Sequence, residues 1–194
     1  MALAAILAGV AASVLVVTGL AWGLRTAVDP PSSAQPIANK GTVVESMSIV
    51  TGSGKRADWP VYTDSSFTVH KGQTVVLQIT SYDDGTAPLA GVQSMFDSVR
   101  GTVSDRETVD GKAVRSVPNT DVSHTFTVVS LGVNVPIPAA PTGGAVLVVA
   151  RFVARQSGTF LWQCYAPCGS GTNGMGGAMS VQGWMEGHIH VVGA

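Results

Sequence analysis

The sequence predicts an all-β fold, an antiparallel sandwich, preceded by one transmembrane helix. Seven short segments rich in β-branched and aromatic residues follow residue 41, and turn-forming residues bound most of them. No long amphipathic helical pattern lies between these segments, which favours two packed sheets. A long apolar run occupies the N-terminus. The chain is therefore expected to be a globular β domain tied to a membrane.

Composition excludes several classes of protein. The 194 residues carry a net charge of −1, and only 12% of them are charged. No nucleic-acid partner is expected, because nucleic-acid binding needs a clustered cationic surface. Two cysteines are too few for a multi-disulfide scaffold. The sequence has no G-x-S-x-G, H-E-x-x-H or Walker-type motif, and we do not expect an enzyme.

Residues 1–26 are predicted to form a transmembrane anchor. Residues 2–24 carry no charge, and at ~1.5 Å rise per residue such a helix spans roughly 34 Å, enough for a bilayer core. A cleaved signal peptide is the alternative, although no basic residue precedes the run and its best cleavage match is poor. The expected location is the cytoplasmic membrane, crossed once, with the soluble domain on the extracytoplasmic side.

A Pro- and Ser-containing linker is predicted at 27–41, followed by one β domain at 42–194. Residues 83–118 lack strand alternation, and 88–99 has the apolar spacing of a short helix. We interpret this segment as an insertion of mixed structure, a candidate lid over one end of the sandwich. The predicted strands are Thr42–Thr51, Ser66–His70, Gln73–Ser81, His124–Ser130, Ala145–Val153, Gly158–Gln163 and Trp184–Val192.

The residues able to carry chemistry lie in two segments. Residues 119–126 (NTDVSHTF) place His124 at the start of a predicted strand, behind a carboxylate and an amide. Residues 158–169 (GTFLWQCYAPCG) place Cys164 and Cys168 four positions apart, where a strand opens into a Gly-rich loop. Two such thiols can share a soft metal ion, form a disulfide or remain inert.

Together these segments resemble the copper domain of cytochrome c oxidase subunit 2 and the wider cupredoxin family. The family pattern is N-x-D-V-x-H-x-F, then an L-G stretch with prolines, then G-x-F…Q-C-x3-C-G, and this chain supplies it at 119–126, 131–138 and 158–169. The resemblance runs from Phe67 to the C-terminus. It implies a Greek-key cupredoxin-like sandwich, a copper cofactor, and a respiratory oxidase or cytochrome as partner.

The second imidazole of the family's dinuclear copper site is missing from its usual place in this chain. The family loop continues as C-x3-C-x3-H-x2-M, which here places Thr172 at the imidazole and Met175 at the thioether. In an alternative register with a longer loop, Met185 is the thioether and Gln182 stands at the imidazole position.

The resemblance therefore implies a mononuclear copper site in preference to a dinuclear one. Imidazole, thiolate and thioether are ligands that copper accepts. The implied ligands are His124, Cys164, Cys168 and one of Met175, Met179 or Met185.

His188 is a further candidate for the missing imidazole. It shares one strand face with His190, opposite Ile189, and that alternation favours exposure of both imidazoles to solvent.

Two functions stay open on the sequence. The first is a membrane-anchored, exported copper protein that transfers electrons or handles copper beside a respiratory oxidase. The second is a copper-free structural or interaction subunit with a Cys164–Cys168 disulfide. The copper function requires His124 and Cys164 to meet in space, although forty positions of chain separate them.

Overall fold

Eleven β-strands form the part of the chain that the computed structural model describes, residues 40–52, 59–169 and 177–193. They build two sheets with a shared apolar core, which confirms the predicted all-β sandwich. The strands are β1 (Thr42–Thr51), β2 (Pro60–Tyr62), β3 (Ser66–His70), β4 (Thr74–Ser81), β5 (Glu107–Val109), β6 (Lys112–Val114), β7 (Val122–Val128), β8 (Val133–Pro138), β9 (Val146–Val153), β10 (Gly158–Gln163) and β11 (Glu186–Val192).

Both sheets are mixed, which corrects the prediction of a purely antiparallel sandwich. The first sheet has the order β2-β1-β4-β9-β5-β6, and the second has the order β3-β11-β10-β7-β8. In the first sheet β1 runs parallel to β4, and in the second β11 runs parallel to β3. Residue alternation shows that a segment is a strand, but it does not show the direction of the partner strand. Parallel pairs need long connections, and both of these pairs have them.

All seven predicted strands are present, and their bounds agree with the structure to within two residues. Four more were not predicted. Three of these, β2, β5 and β6, have three residues each, too few to show alternation. The fourth, β8, contains Pro136 and Pro138. Proline removes a backbone donor and is confined to sheet edges, and β8 is indeed an edge strand.

The insertion has the mixed structure that the sequence predicts. A 3-10 helix at Gly91–Asp97 lies within the predicted helical stretch, and a second 3-10 turn follows at Val103–Asp105. The segment then forms the β5–β6 hairpin, which extends the first sheet through β9. Asp110 and Gly111 at the hairpin turn both have positive φ, the conformation for which Asp-Gly pairs are favoured.

An aromatic cluster fills the core below the end of β10. Trp162 stacks on Phe126 with ring centroids 5.1 Å apart, and Tyr62 meets Trp162 edge-on at 4.8 Å. All three side chains are fully buried. Large buried aromatic rings contribute strongly to packing, so this cluster holds β7 and β10 in a defined position.

No helix among the described residues is long and apolar enough to cross a membrane. The predicted anchor at 1–26 lies outside the described residues, as does most of the predicted linker.

Glu107, the first residue of β5, has a buried carboxyl group that no hydrogen bond stabilises. Its side chain is 2% exposed, and neither carboxylate oxygen has a hydrogen-bond partner. Burial raises the pKa of Glu107 to about 9, because the charged form is poorly solvated in the interior. The folded protein therefore holds a proton at this carboxyl at pH values where the unfolded chain releases it.

This difference predicts the pH dependence of stability. Glu107 has a pKa raised on folding, so its contribution to stability is complete below about pH 4.5 and is lost as the pH rises towards 9. In Glu107→Gln the free energy of unfolding should fall less steeply over this range, by about 1.4 kcal/mol per pH unit. Urea denaturation from pH 5 to pH 9 measures the slope. Glu107→Leu should show the same shallower slope of the free energy of unfolding against pH. A wild-type slope in both variants would show that Glu107 does not cause the pH dependence.

Candidate metal centre

A β-bulge in β7 places His124. The pairing of β7 with β8 shifts register between Val122 and His124, so that Ser123 is the extra residue. A bulge bends its strand and re-aims the adjacent side chains. Every residue of β7 is buried, and His124 is only 1% exposed. The imidazole therefore lies inside the domain.

The two cysteines lie where β10 ends, beside β7. Gln163, the last residue of β10, pairs with Thr127 of β7. The Cys164 amide donates to the Met185 carbonyl at 2.9 Å, which ties the start of the loop to the chain just before β11. Gly169 closes this loop with φ of +98°, and a Cβ there would lie 2.7 Å from the Ala178 nitrogen. Only glycine fits this close approach.

His124, Cys164 and Cys168 form a buried cluster, which we call the His/Cys2 cluster. One imidazole nitrogen and the two sulfurs all lie within 4.8 Å of one another. Both cysteines are free thiols, with the sulfurs 3.2 Å apart. The structure thus brings together three of the predicted ligands, and the cluster can hold a metal ion.

Asp83 orients the imidazole. The Nε2–H of His124 donates to Oδ2 of Asp83 at 2.9 Å, while Oδ1 of Asp83 accepts the Gly85 amide at 2.9 Å. Asp83 lies just after β4 of the first sheet, so this hydrogen bond links the two sheets. A carboxylate on the outer nitrogen of an imidazole is the usual partner of a metal-binding histidine.

The second imidazole nitrogen is the one available to a metal. Nδ1 of His124 is buried and has no hydrogen-bond partner. When Nε2 carries the proton in a neutral imidazole, Nδ1 presents a lone pair. An orphaned buried nitrogen is costly unless something binds it. Together with two adjacent sulfurs, this nitrogen fits a soft or borderline metal ion such as copper.

Asp83 and His124 change each other's acidity. The hydrogen bond to His124 lowers the pKa of Asp83, although partial burial opposes this change. Burial by itself lowers the pKa of His124, but the bond to Asp83 and the neighbouring Cys164 sulfur outweigh burial and raise it to about 9. Without metal the imidazole is therefore protonated at neutral pH, and metal binding there releases a proton.

The two thiols have opposite pKa directions. Burial raises the pKa of Cys164, but the Cys168 thiol, the His124 imidazole and the Thr125 amide together lower it well below its usual range. The pKa of Cys168 rises well above its usual range, first because its thiol bonds to Cys164 and then because it is buried. The pair therefore consists of one thiolate and one thiol, and the thiolate is the stronger metal ligand.

Thr125 connects β7 with the cysteine loop through two hydrogen bonds and makes a third within β7. Its hydroxyl oxygen accepts the Tyr165 amide at 2.8 Å and the Thr127 hydroxyl at 2.9 Å. Its own amide donates to the Cys164 sulfur at 3.5 Å. The residue next to His124 thus positions the residue next to Cys164, and the two sides of the cluster are fixed relative to each other.

The insertion packs against the same loop. Phe96 stacks on Tyr165 with ring centroids 4.4 Å apart, and the Gln93 amide donates to the Tyr165 carbonyl at 2.9 Å. The segment predicted as a candidate lid therefore contacts the residues between the two thiols.

Two of the three predicted thioether ligands, Met185 and Met179, lie in the described structure. Met185 is fully buried, and its carbonyl accepts the Cys164 amide. Met179 is also buried, and its carbonyl accepts the Gln163 side-chain amide at 2.8 Å. Met175 lies outside the described residues, as does Thr172. The backbone of Met185 thus lies directly beside the first cysteine.

The candidates for a second imidazole lie elsewhere. Nδ1 of His188 is 3.0 Å from the Gln182 side-chain amide, and Nδ1 of His190 is 3.1 Å from the Thr159 hydroxyl. Both imidazoles are partly exposed and alternate with buried Ile189 along β11. Within the described residues, the His/Cys2 cluster includes neither histidine.

A cavity of about 260 Å³ adjoins the cluster; we call it the site cavity. It is lined by Pro60, Asp83, Gly85, Thr86, Ala87, Ser123, His124, Pro167, Cys168 and Gly169.

Asp83 is not among the site residues that the sequence predicted. The position is 41 residues from His124, and the contact forms only because the sheets face each other. The only available signal was a carboxylate directly after a predicted strand, which is too common to identify a site.

Fold and site together define an all-β sandwich with a buried His/Cys2 group that can hold a metal ion. No protein-family model matches the chain, and no curated protein matches it.

The Thr125 hydroxyl predicts a measurable contribution to stability. Thr125→Val leaves the partly buried Tyr165 amide without its acceptor, at a cost of about 1–3 kcal/mol in the free energy of unfolding. Thr125→Ser keeps the hydroxyl and should cost less. Urea denaturation of the metal-free protein compares the two variants, and equal losses would show that the hydroxyl has no special role.

Proposed function

We propose that this chain is a membrane-anchored, exported, cupredoxin-like protein that binds one copper ion. His124, Cys164 and Cys168 hold the ion, and Met185 or Met175 is a weak additional ligand. Its function is electron transfer or copper handling beside a respiratory oxidase. The membrane anchor and the oxidase partner rest on the apolar N-terminal run and on the resemblance of the two site segments to the cupredoxin family.

One observation carries the copper assignment. His124 lies in a buried cluster with two free sulfurs, one imidazole nitrogen and both sulfurs fall within 4.8 Å of one another, and Nδ1 has no hydrogen-bond partner. Structural clusters of zinc usually have four ligands, whereas three soft ligands and a weak thioether suit copper. The mononuclear assignment follows from the single imidazole in the described cluster.

The protein's own groups prepare the site for a cation. Asp83 accepts a hydrogen bond from Nε2 of His124 and so leaves Nδ1 as the nitrogen for the metal, and the Thr125 amide supports the Cys164 thiolate. Cys164 is fully buried, so its sulfur is shielded from bulk water. When bound, copper would supply a one-electron redox centre or an exchangeable cargo ion.

A copper-free protein with a Cys164–Cys168 disulfide is the second candidate. The sulfurs are 3.2 Å apart, so a bond of about 2.05 Å would require them to approach by only about 1 Å. An oxidising compartment outside the cytoplasm would favour that bond. The two candidates make different predictions for the mass of the isolated protein.

The first prediction of the proposed function concerns the copper content of the protein and its absorption spectrum. Protein purified with copper should contain one copper ion per chain and show thiolate-to-copper absorption, and Cys164→Ser should abolish this band. Absorption spectra and metal analysis check this. A colourless, metal-free wild-type protein would overturn the copper function. Loss of two hydrogen atoms from its mass, restored by reductant, would then identify the disulfide form.

The second prediction concerns Asp83. Removing a partner of a metal-binding histidine typically costs about 10- to 100-fold in affinity, and Asp83→Ala should weaken copper binding by this amount. Asp84→Ala is the matched control, because it removes the adjacent exposed carboxylate, which does not bond to His124. Competition with a copper chelator measures both affinities. Equal weakening in the two variants would mean that only net charge matters.

A further inference from the structure

The site cavity extends from the protein surface to the His/Cys2 cluster. Its outer lining includes the exposed residues Gly85 and Thr86. Its inner lining includes Ser123, His124 and Cys168, which are all buried. A volume of about 260 Å³ is large enough for several water molecules. The cluster is therefore accessible to small molecules on this side.

Of the two thiols, only Cys168 belongs to the described lining of the site cavity. Cys164 is fully buried and lies 3.2 Å from Cys168, sulfur to sulfur. A group that enters through the cavity therefore reaches Cys168 before Cys164.

The site cavity is lined by one carboxylate, that of Asp83, and the described lining contains no lysine or arginine. Asp83 is paired with the His124 imidazole, so the two charges of the lining compensate each other. The Ser123 hydroxyl is buried and has no hydrogen-bond partner, so it is free to bind water or a ligand donor. The lining therefore has no net charge that would favour a cation over an anion.

We propose that the site cavity is the route by which Cu(I), carried by a small thiol compound, is loaded onto the cluster and removed from it, with Cys168 as the first protein ligand. This inference rests on the proposed function and, within it, favours copper handling over electron transfer. Copper is the cargo here, and the cavity is the part of the protein that exchanges it.

The exchange is a ligand substitution without a change of oxidation state. The bond between copper and the carrier sulfur breaks, and a bond between copper and the Cys168 sulfur forms. The proton of the Cys168 thiol passes to the departing carrier thiolate. Cys164 and the His124 imidazole then complete the set of ligands, and the proton of the imidazolium passes to solvent. Removal by a carrier thiol is the reverse of these events.

The test is kinetic and uses a bulky residue at the cavity entrance. Thr86→Trp should slow copper loading from Cu(I)–glutathione by about tenfold, and removal by bathocuproine disulfonate by a similar factor. The copper stoichiometry and the affinity should stay as in the wild type, because Thr86 is exposed and lies outside the cluster. Stopped-flow absorbance of the chelator complex measures removal.

Thr68→Trp is the matched control, an exposed threonine on β3 away from the cavity lining, and it should exchange copper at the wild-type rate. Wild-type rates in Thr86→Trp would overturn the inference and leave the proposed function standing. A wild-type protein that binds no copper would overturn the proposed function, and this inference with it.

A measurement without metal tests the same route. Iodoacetamide should label the thiols of metal-free Thr86→Trp several-fold more slowly than those of the wild type and of Thr68→Trp. Equal labelling rates in all three proteins would show that the cavity is not the path to the cluster. This result would count against the inference even if a change in copper kinetics were seen.

Discussion

The site depends on how β7 lies against the end of β10. A single backbone pairing, Gln163 with Thr127, sets this position, and the stacked Trp162 and Phe126 rings hold it. Thr125 then connects the loop to the strand through its hydroxyl and its amide. Because the bulge at Ser123 re-aims the next side chain, the imidazole and the sulfur meet although forty positions separate them. A shift of one residue in β7 would turn His124 to the opposite face.

The electrostatic arrangement of the cluster follows from its burial. A buried thiolate is costly unless it is paired, and here an imidazole, a thiol and a backbone amide compensate its charge. The imidazolium is in turn compensated by Asp83. In the metal-free protein these contacts store protons at His124 and Cys168, which a bound cation would displace. The same donors thus stabilise the empty site and supply its ligands.

Local patterns predicted the strands, and β1 and β10 were located at their observed bounds. The cluster was implied by the resemblance to the cupredoxin family, whose motifs include the C-x3-C spacing and the histidine of the first segment. Other tertiary contacts could not be predicted. The role of Asp83 depends on the distance between two sheets, and the parallel pairing of β1 with β4 depends on a long connection. Neither of these two contacts can be inferred from residues that are close together in the sequence.

The number of imidazoles in the cluster bears on whether the protein is suited to electron transfer or to copper handling. His188 and His190 lie on the outer side of β11 and bond to Gln182 and Thr159, so neither completes a dinuclear set in the described structure. The remaining donors are dominated by sulfur, and sulfur favours Cu(I) over Cu(II). A centre that must cycle between oxidation states is best closed and rigid. A sulfur-rich centre that adjoins a cavity is better suited to holding and passing on one oxidation state.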